Sequence, residues 1–210
     1  MRILGFMGSP STRGKCSRLL KKVIDGAQSR GAIVKTYELV SINIMHCKGC
    51  GTCYKNQPEL VIGKCPLPDD MAAVLEDYVH ADGYVFASPV YDGYITSIMK
   101  KFLERKIALT YKGQEEGGKI PSPRKPALFK KKASYIVTGD ALDEYREIMG
   151  DPCFEAMETH HRLEQVEPLD YLYVGNAEHL GPDEFSEKEE EAFKMGVRLV
   201  EEITKVKNTT

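Results

Sequence analysis

Short apolar runs alternate with amphipathic helical patterns along this chain, and this alternation limits its fold more than any other feature of the sequence. The apolar runs predict strands at residues 2–8, 32–39, 83–87, 133–138 and 169–174. Helical periodicity predicts helices at residues 14–30, 69–78, 96–105, part of 140–159, and 185–205. Strands separated by helices are typical of βαβ units with a parallel sheet. We therefore predict an α/β fold, a doubly wound five-stranded parallel sheet with helices on both faces.

Length and composition are those of one globular domain. The chain has 210 residues, of which 42% are hydrophobic, enough to bury one α/β core. We expect a single domain over residues 1–210, with a cysteine loop at 45–68 and a surface excursion at 111–132, where glycine, proline and charged residues interrupt the pattern.

Charge and hydropathy exclude several classes of partner. A net charge of -2 and a pI near 6.2 argue against nucleic acid, which requires a basic surface. No long hydrophobic segment or cleavage site is visible, so we expect a cytoplasmic protein without a membrane partner.

In a doubly wound sheet, ligands bind outside the carboxyl ends of the strands, where the strand order reverses. The loops after the first, third and fourth strands should meet there. Candidate cofactor-binding residues in these loops are Ser9, Ser11, Arg13, Lys15, Cys16, Ser17, Ser88, Pro89, Val90, Tyr91, Gly93, Thr138 and Gly139.

The first of these loops runs directly into a helix, so its hydroxyls, the first-turn amides and the helix dipole favour a phosphate. It has neither the dinucleotide glycine pattern nor a Walker pattern. The alternative is an ordinary capped helix start. The loop around Tyr91 and Tyr94 could border a flat aromatic ring, or these tyrosines could pack in the core or an interface.

Four cysteines form a pattern with the spacing of cluster ligands: Cys47, Cys50, Cys53 and Cys65. The first three are spaced CxxCxxC, and the fourth follows after eleven residues and precedes Pro66. Three closely spaced cysteines and a proline after the last are typical of ferredoxins, which favours a [4Fe-4S] cluster. A zinc site would usually use two separated CxxC pairs, and a loop without any metal is the other alternative. Cys16 and Cys153 lie outside this pattern and should be plain thiols.

Several motifs together resemble one known family. They are Gly8-Ser9-Pro10, the four spaced cysteines, Asp69-Asp70-Met71, Ser88 to Gly93, and Lys100 to Arg105. This set resembles the flavodoxin-like NAD(P)H-dependent FMN reductases and, within them, the iron-sulfur flavoproteins. The likeness is strong over the first half of the chain, and beyond residue 110 only the strand-helix rhythm matches.

The resemblance implies an FMN-dependent oxidoreductase in which the cofactors do the chemistry, so no side chain is assigned a catalytic role. FMN accepts a hydride and can release electrons singly, whereas a [4Fe-4S] cluster takes one electron at a time. With both, the protein would transfer electrons between a ferredoxin-like donor and an acceptor such as oxygen, peroxide or a quinone. The alternatives are an NAD(P)H-dependent FMN or quinone reductase without a cluster, and a flavin-binding regulatory module. An exposed flavin edge would suit a homodimer or homotetramer.

Overall fold

The strands and helices follow the alternation expected from the sequence. The computed structural model describes residues 1–55, 59–111, 122–124 and 131–209. In these ranges the strands are β1 (Arg2–Met7), β2 (Ile33–Glu38), β3 (Gly83–Tyr91), β4 (Tyr94–Ile95), β5 (Thr110–Tyr111), β6 (Ser122–Pro123), β7 (Lys132–Thr138) and β8 (Glu167–Val174). The helices are α1 (Lys15–Ser29), α2 (Thr52–Lys55), α3 (Met71–His80), α4 (Ser97–Arg105), α5 (Arg146–Met149), α6 (Asp151–Glu164) and α7 (Pro182–Thr209).

Five parallel strands form the central sheet in the order β2-β1-β3-β7-β8. The predicted α/β fold with a five-stranded parallel sheet is confirmed. β3 runs four residues further than predicted, because it continues through Ser88 and Pro89 and turns back to pair with β4. Asp92 and Gly93 form this turn with φ of 51° and 71°, values that glycine and aspartate tolerate better than most residues.

Two hydrophobic cores lie on opposite faces of the sheet. One packs α1 and α7 against the sheet through residues such as Leu19, Val23 and Leu199. The other packs α3, α4 and α6 against it and contains much of the aromatic side-chain mass, including Phe6 and Phe102. Burial of apolar faces on both sides of a parallel sheet is what the strongly apolar strands require.

Glycines allow α1 and α7 to approach closely. A Cβ added at Gly26 would lie 2.1 Å from the carbonyl oxygen of Phe193, and one at Gly196 would lie 1.9 Å from the carbonyl oxygen of Val23. Both contacts are with backbone atoms, which cannot move aside independently. The two helices therefore pack at a distance that only glycine permits.

Gly196→Ala tests this packing. Alanine favours a helix interior over glycine by about 1 kcal/mol, so an unconstrained site would be stabilised. Here we expect a loss of about 1–3 kcal/mol in unfolding free energy, because the methyl group would force α7 away from α1. Urea unfolding measures it, with Gly181→Ala as the control, since its Cβ meets only a side-chain oxygen at 3.4 Å. A Gly196→Ala protein as stable as the parent would contradict the close approach.

The predicted excursion at 111–132 lies largely outside the described residues. Its described parts are Tyr111, which ends β5, the segment 122–124, and the approach to β7. β5 and β6 form a small antiparallel ladder apart from the main sheet. A single domain over residues 1–210 stays a prediction. In the described ranges, no helix combines the length and apolar character needed to cross a membrane.

Candidate functional site

The loop after β1 is organised by its serines. The backbone N–H of Ser11 donates to Ser9 Oγ at 3.1 Å, and Ser17 Oγ donates to the Ser11 carbonyl oxygen at 2.8 Å. α1 then begins after Gly14, which has no side chain to cap it. The first-turn amides of such a helix attract an anion, and Lys15 adds a positive charge beside them. Lys15 Nζ also lies 4.1 Å from the ring centroid of Phe185.

Thr96 ties the loop after β1 to the loop after β3. Its hydroxyl donates to the Gly8 carbonyl oxygen at 2.5 Å and accepts from the Met99 backbone N–H at 3.1 Å, which caps α4. Its own backbone N–H donates to Ser88 Oγ at 3.2 Å. Ser88 is thus a buried support of the loop after β3, whereas Tyr91 of the same loop is about half exposed.

The loop after β7 meets α1 through Thr138, whose side chain hydrogen-bonds the thiol of Cys16. Burial raises the pKa of Cys16 to about 12, and the Thr138 hydrogen bond only partly opposes this. Cys16 is therefore a neutral, buried thiol that joins two loops. Gly139 continues the edge of the sheet, with its N–H donating to the Val174 carbonyl oxygen at 3.0 Å.

The three loops enclose one cleft of about 320 Å³. Nine of the predicted cofactor-binding residues line it: Ser9, Ser11, Lys15, Cys16, Pro89, Val90, Tyr91, Thr138 and Gly139. Arg13, Ser17, Ser88 and Gly93 do not. Arg13 is exposed, Ser17 and Ser88 brace the loops from outside the cleft, and Gly93 lies at the tip of the β3–β4 turn. The roles of all thirteen residues stay predictions.

Four further residues line this cleft that were not among the predicted cofactor-binding residues: Gly14, Asp140, Ala177 and Glu178. Ala177 and Glu178 follow β8, and the Ala177 N–H donates to the Gly139 carbonyl oxygen at 3.0 Å. Nothing in their local sequence distinguishes them from a solvated turn. Only the position of β8 beside β7 brings them to the cleft.

The four predicted metal-binding cysteines line a second cavity, of about 490 Å³. Cys47 and Cys50 are exposed, Cys65 is half-buried and Cys53 is buried. Gly49 and Gly51, with φ of 65° and 74°, turn the chain between these cysteines, and the single-turn helix α2 carries Cys53 inward. Among the described residues, no group of three or more His, Cys, Asp or Glu side chains is arranged around a single metal-ion position.

The thiols of this cavity have different electrostatic environments. Burial raises the pKa of Cys53 to about 11, and the neighbouring Cys65, Cys47 and Cys50 add to the rise. Hydrogen bonding to Thr52 lowers the pKa of Cys50, and Thr52 Oγ1 donates to Cys50 Sγ at 3.4 Å. Cys65, Cys47 and Cys50 are therefore near enough to Cys53 to disfavour its thiolate.

Arg105 lies at the end of α4 and contacts the cysteine cavity. Its Nη2 donates to Cys65 Sγ at 3.5 Å, and both of its terminal nitrogens donate to the carboxylate of Asp69. Asp69 and Asp70 directly precede Met71, the first residue of α3. The structure gives Asp70 no capping hydrogen bond, while Asp69 Oδ1 accepts from the Met71 N–H at 3.2 Å. Asp69 therefore serves both the start of α3 and Arg105, and these hydrogen bonds outweigh its burial and lower its pKa.

Arg124, from the described part of the 111–132 excursion, holds the other side of the loop. Its Nη2 donates to the Cys53 carbonyl oxygen at 2.7 Å, and its Nη1 donates to the Leu60 carbonyl oxygen at 3.4 Å. Gly63 packs against the Cys53 carbonyl and Arg124, and its N–H donates to the Ala108 carbonyl oxygen at 2.7 Å. The long connection between Cys53 and Cys65 is thus anchored at several points. The sequence offered no signal for Arg124.

Comparison with known proteins places the chain in a family. A family model described as NADPH-dependent FMN reductase matches residues 1–142. The chain belongs to this family. Similar curated proteins include an iron-sulfur flavoprotein of Archaeoglobus fulgidus, 33% identical over 107 residues, which are 51% of this chain and 46% of that protein. Another, from Methanocaldococcus jannaschii, is 29% identical over 109 residues, 52% of this chain and 53% of that protein. The chain spans about half the length of these relatives.

Solved structures of similar fold include several reductases. An NAD(P)H:quinone oxidoreductase from Methanothermobacter marburgensis superimposes with a TM-score of 0.69 at 16% identity, covering 95% of this chain and 96% of that one. An FMN-dependent NADH-azoreductase from Bacillus anthracis, in complex with FMN, gives 0.69 at 11% identity, with coverage of 95% and 100%. At these identities the likeness shows the fold alone, and the flavodoxin-like fold expected for an FMN reductase is confirmed.

Gly63→Ala tests the anchoring of the cysteine loop. A Cβ at Gly63 would lie 1.7 Å from the Cys53 carbonyl oxygen and 2.7 Å from Arg124 Nη2. We expect the loop to shift and Cys53 to become accessible, so that a water-soluble maleimide labels it at least severalfold faster in the folded, metal-free protein. Gly5→Ala is the control, because its Cβ meets side-chain atoms at 3.4 Å or more. Equal labelling rates in Gly63→Ala and the parent would show that the loop does not depend on this contact.

Proposed function

We propose that the protein is an FMN-dependent oxidoreductase that also carries a [4Fe-4S] cluster and transfers electrons between a ferredoxin-like donor and an acceptor such as oxygen, peroxide or a quinone. Membership of the FMN reductase family supports the flavin, and the names of the similar iron-sulfur flavoproteins support the cluster. The observation that carries the proposal is the pair of separate cavities: one at the carboxyl edge of the sheet, one lined by all four spaced cysteines.

The cleft at the sheet edge fits FMN. Its volume, about 320 Å³, lies at the lower end of the range of about 300–1,000 Å³ for small-molecule sites. Ser9, Ser11, Lys15 and the start of α1 form one anion site, which matches a single phosphate. Val90 and Tyr91 would then border the flavin ring through backbone groups and an exposed aromatic face.

The cysteine cavity fits an iron-sulfur cluster. Four thiolates are the usual ligands of a [4Fe-4S] cluster, and each binds a different iron atom. A cluster bound by four thiolates is anionic, and the guanidinium groups of Arg105 and Arg124 lie beside the loop to offset that charge. Cys53 would release its proton on binding iron, as thiol ligands do.

When bound, FMN would supply two-electron chemistry and the cluster one-electron chemistry, so together they would connect carriers of the two kinds. The residues of this chain would hold the two groups apart. The serines and Lys15 would bind the phosphate, and the four spaced cysteines would hold the cluster. A homodimer or homotetramer is part of the proposal, because Tyr91, Tyr94 and Tyr145 leave apolar surface exposed.

A second candidate is an NAD(P)H-dependent FMN or quinone reductase without a cluster. It is favoured by the description of the family, NADPH-dependent FMN reductase, which names NADPH and FMN and no cluster. Under this reading NAD(P)H would reduce the flavin directly. Absorption separates the two candidates: a broad brown band under the flavin peaks indicates a cluster, and a clean flavin spectrum indicates none.

Lys15→Met tests the phosphate site. FMN and riboflavin differ only in the phosphate, so loss of the Lys15 charge should weaken FMN binding about fivefold, roughly 1 kcal/mol, and leave riboflavin binding unchanged. Titration of flavin fluorescence measures both. The matched control is Lys21→Met, which removes an exposed charge further along α1. Equal effects on FMN and riboflavin, or recovery of FAD from the purified protein, would contradict the assignment.

Cys65→Ala tests the cluster. The anaerobically reconstituted parent should contain about four iron and four sulfide per chain. Cys65→Ala should lose or degrade the cluster and keep FMN, because the flavin cleft is built from other loops. Cys153→Ala removes a buried thiol of α6 that is not one of the four spaced cysteines, and it should change neither. A parent without iron, with or without zinc, would favour the clusterless reductase.

A further inference from the structure

The four terminal N–H bonds of the Arg105 guanidinium all contact groups around Cys65. Nη1 donates to the Met45 carbonyl oxygen at 2.8 Å and to Asp69 Oδ2, and Nη2 donates to Asp69 Oδ1 at 3.0 Å and to Cys65 Sγ at 3.5 Å. Each terminal nitrogen carries two N–H bonds, so all four are used. Only 3% of the Arg105 side chain is exposed. The donor that faces the sulfur therefore has a fixed direction.

Asp69 prevents this guanidinium from rotating. Its carboxylate is 1% exposed and also accepts from the Met45 N–H at 2.8 Å and the Met71 N–H at 3.2 Å. Two backbone amides from different segments thus fix the position of the carboxylate. Because Arg105 contacts both carboxylate oxygens, the direction of its N–H toward Cys65 is fixed as well. Such paired arginine–carboxylate contacts have defined geometry.

The position of Cys65 in the chain makes such a support necessary. Eleven residues separate it from Cys53, whereas the other ligands follow one another after two. The short gaps hold the first three cysteines near one another by covalent constraint. Cys65 has no such short tether, so a noncovalent contact must fix its sulfur.

We propose that Arg105 is the positioning residue of the fourth cluster ligand: it orients Cys65 Sγ and stabilises the reduced cluster through an N–H···S hydrogen bond. This inference rests on the proposed [4Fe-4S] function. With the cluster bound, reduction by the ferredoxin-like donor would add one electron, and Arg105 would keep all of its protons. Hydrogen bonds to cluster sulfurs and nearby positive charge favour the reduced form, whose negative charge is larger.

The chemistry of arginine explains why this residue type is needed. A planar fork can contact both oxygens of Asp69 and still direct another N–H toward the sulfur. Lysine would keep the charge, but a single ammonium cannot reproduce the same set of directed contacts. Arg105→Lys therefore separates charge from geometry, and Arg105→Met removes both.

The test compares reconstituted Arg105→Met, Arg105→Lys and the parent, all with FMN bound as evidence of folding. Two quantities are measured: the midpoint potential of the cluster in an anaerobic redox titration, and the rate of iron loss to a chelator. For Arg105→Met we expect the equilibrium constant for one-electron reduction to fall about tenfold, a shift of about 59 mV to lower potential. Iron loss should be at least tenfold faster. Arg105→Lys keeps the charge but loses the directed N–H···S contact, so its equilibrium constant should fall by an intermediate factor of about threefold to fivefold, with iron lost at least threefold faster.

Two controls address charge. Lys100→Met removes an exposed cation of the same helix, paired with Glu104 at 3.7 Å. It should change the equilibrium constant for reduction and the rate of iron loss by less than twofold each. The double variant Asp69→Asn/Arg105→Met leaves the net charge unchanged, and its reduction constant should still fall at least threefold because the N–H···S bond is lost.

Several outcomes would overturn the inference. One is an Arg105→Met protein whose equilibrium constant for reduction and rate of iron loss are both within twofold of the parent. Another is a Lys100→Met protein with the same shifts as Arg105→Met. Should Arg105→Met fail to retain FMN, Arg105→Lys decides, and iron loss within twofold of the parent overturns the inference. A parent that takes up no iron defeats the proposed cluster and this inference together, whereas a parent with a cluster that ignores Arg105 defeats this inference alone.

Discussion

The parallel pairing of β1 with β3 is the constraint on which both cavities depend. The ladder runs in register to Met7 and Ala87, and the Gly8 N–H extends it by donating to the Ala87 carbonyl oxygen at 2.8 Å. The sheet order reverses here, since β2 lies on one side of β1 and β3 on the other. The chain must therefore leave the two strands in different directions, which opens a crevice at their carboxyl ends.

α4 links the two cavities. Its N-cap residue is Thr96, whose hydroxyl contacts the Gly8 carbonyl oxygen beside the proposed flavin cleft, and it ends at Arg105, which contacts Cys65. Nine residues of helix span roughly 13 Å at 1.5 Å per residue. A helix capped at one end and held by a buried ion pair at the other is a rigid spacer. The distance between the proposed flavin cleft and the cysteine loop is thus set by regular secondary structure, although the loops themselves are irregular.

The residue after Arg105 fixes the same helix end from the core side. Lys106 is fully buried, and its Nζ lies 3.1 Å from Glu164 Oε2, which also accepts from Tyr78 Oη at 2.8 Å. His161 and Tyr135 extend this network, and the ring of Tyr78 lies 4.6 Å from Lys106 Nζ. Burial lowers the pKa of Lys106 and raises that of Glu164, and the attraction between the two charges partly opposes both changes. Burying two charges is costly, so such a pair contributes a defined geometry more than stability. Arg105 and Lys106 thus point to opposite sides at the end of α4. Arg105 fixes it against the cysteine loop, and Lys106 fixes it against α6.

The contrast between Lys106 and Lys15 shows how far the sequence could predict this protein. Strand and helix periodicity depends on neighbours within one element, and it located the sheet, the helices and the loops at the carboxyl edge, including Lys15 at the start of α1. Cysteine spacing likewise depends on local chain geometry. The roles of Lys106, Arg105 and Arg124 depend on partners that lie 58, 36 and 71 residues away in Glu164, Asp69 and Cys53. A charged residue in a helical pattern usually indicates a solvated face, and the chain offers no local sign that these three cations turn inward. Long-range pairing of buried charge depends on the topology of the sheet. The contacts of Arg105 and Arg124 with the cysteine loop therefore form only once the sheet has placed α3, α4 and the 122–124 segment around that loop.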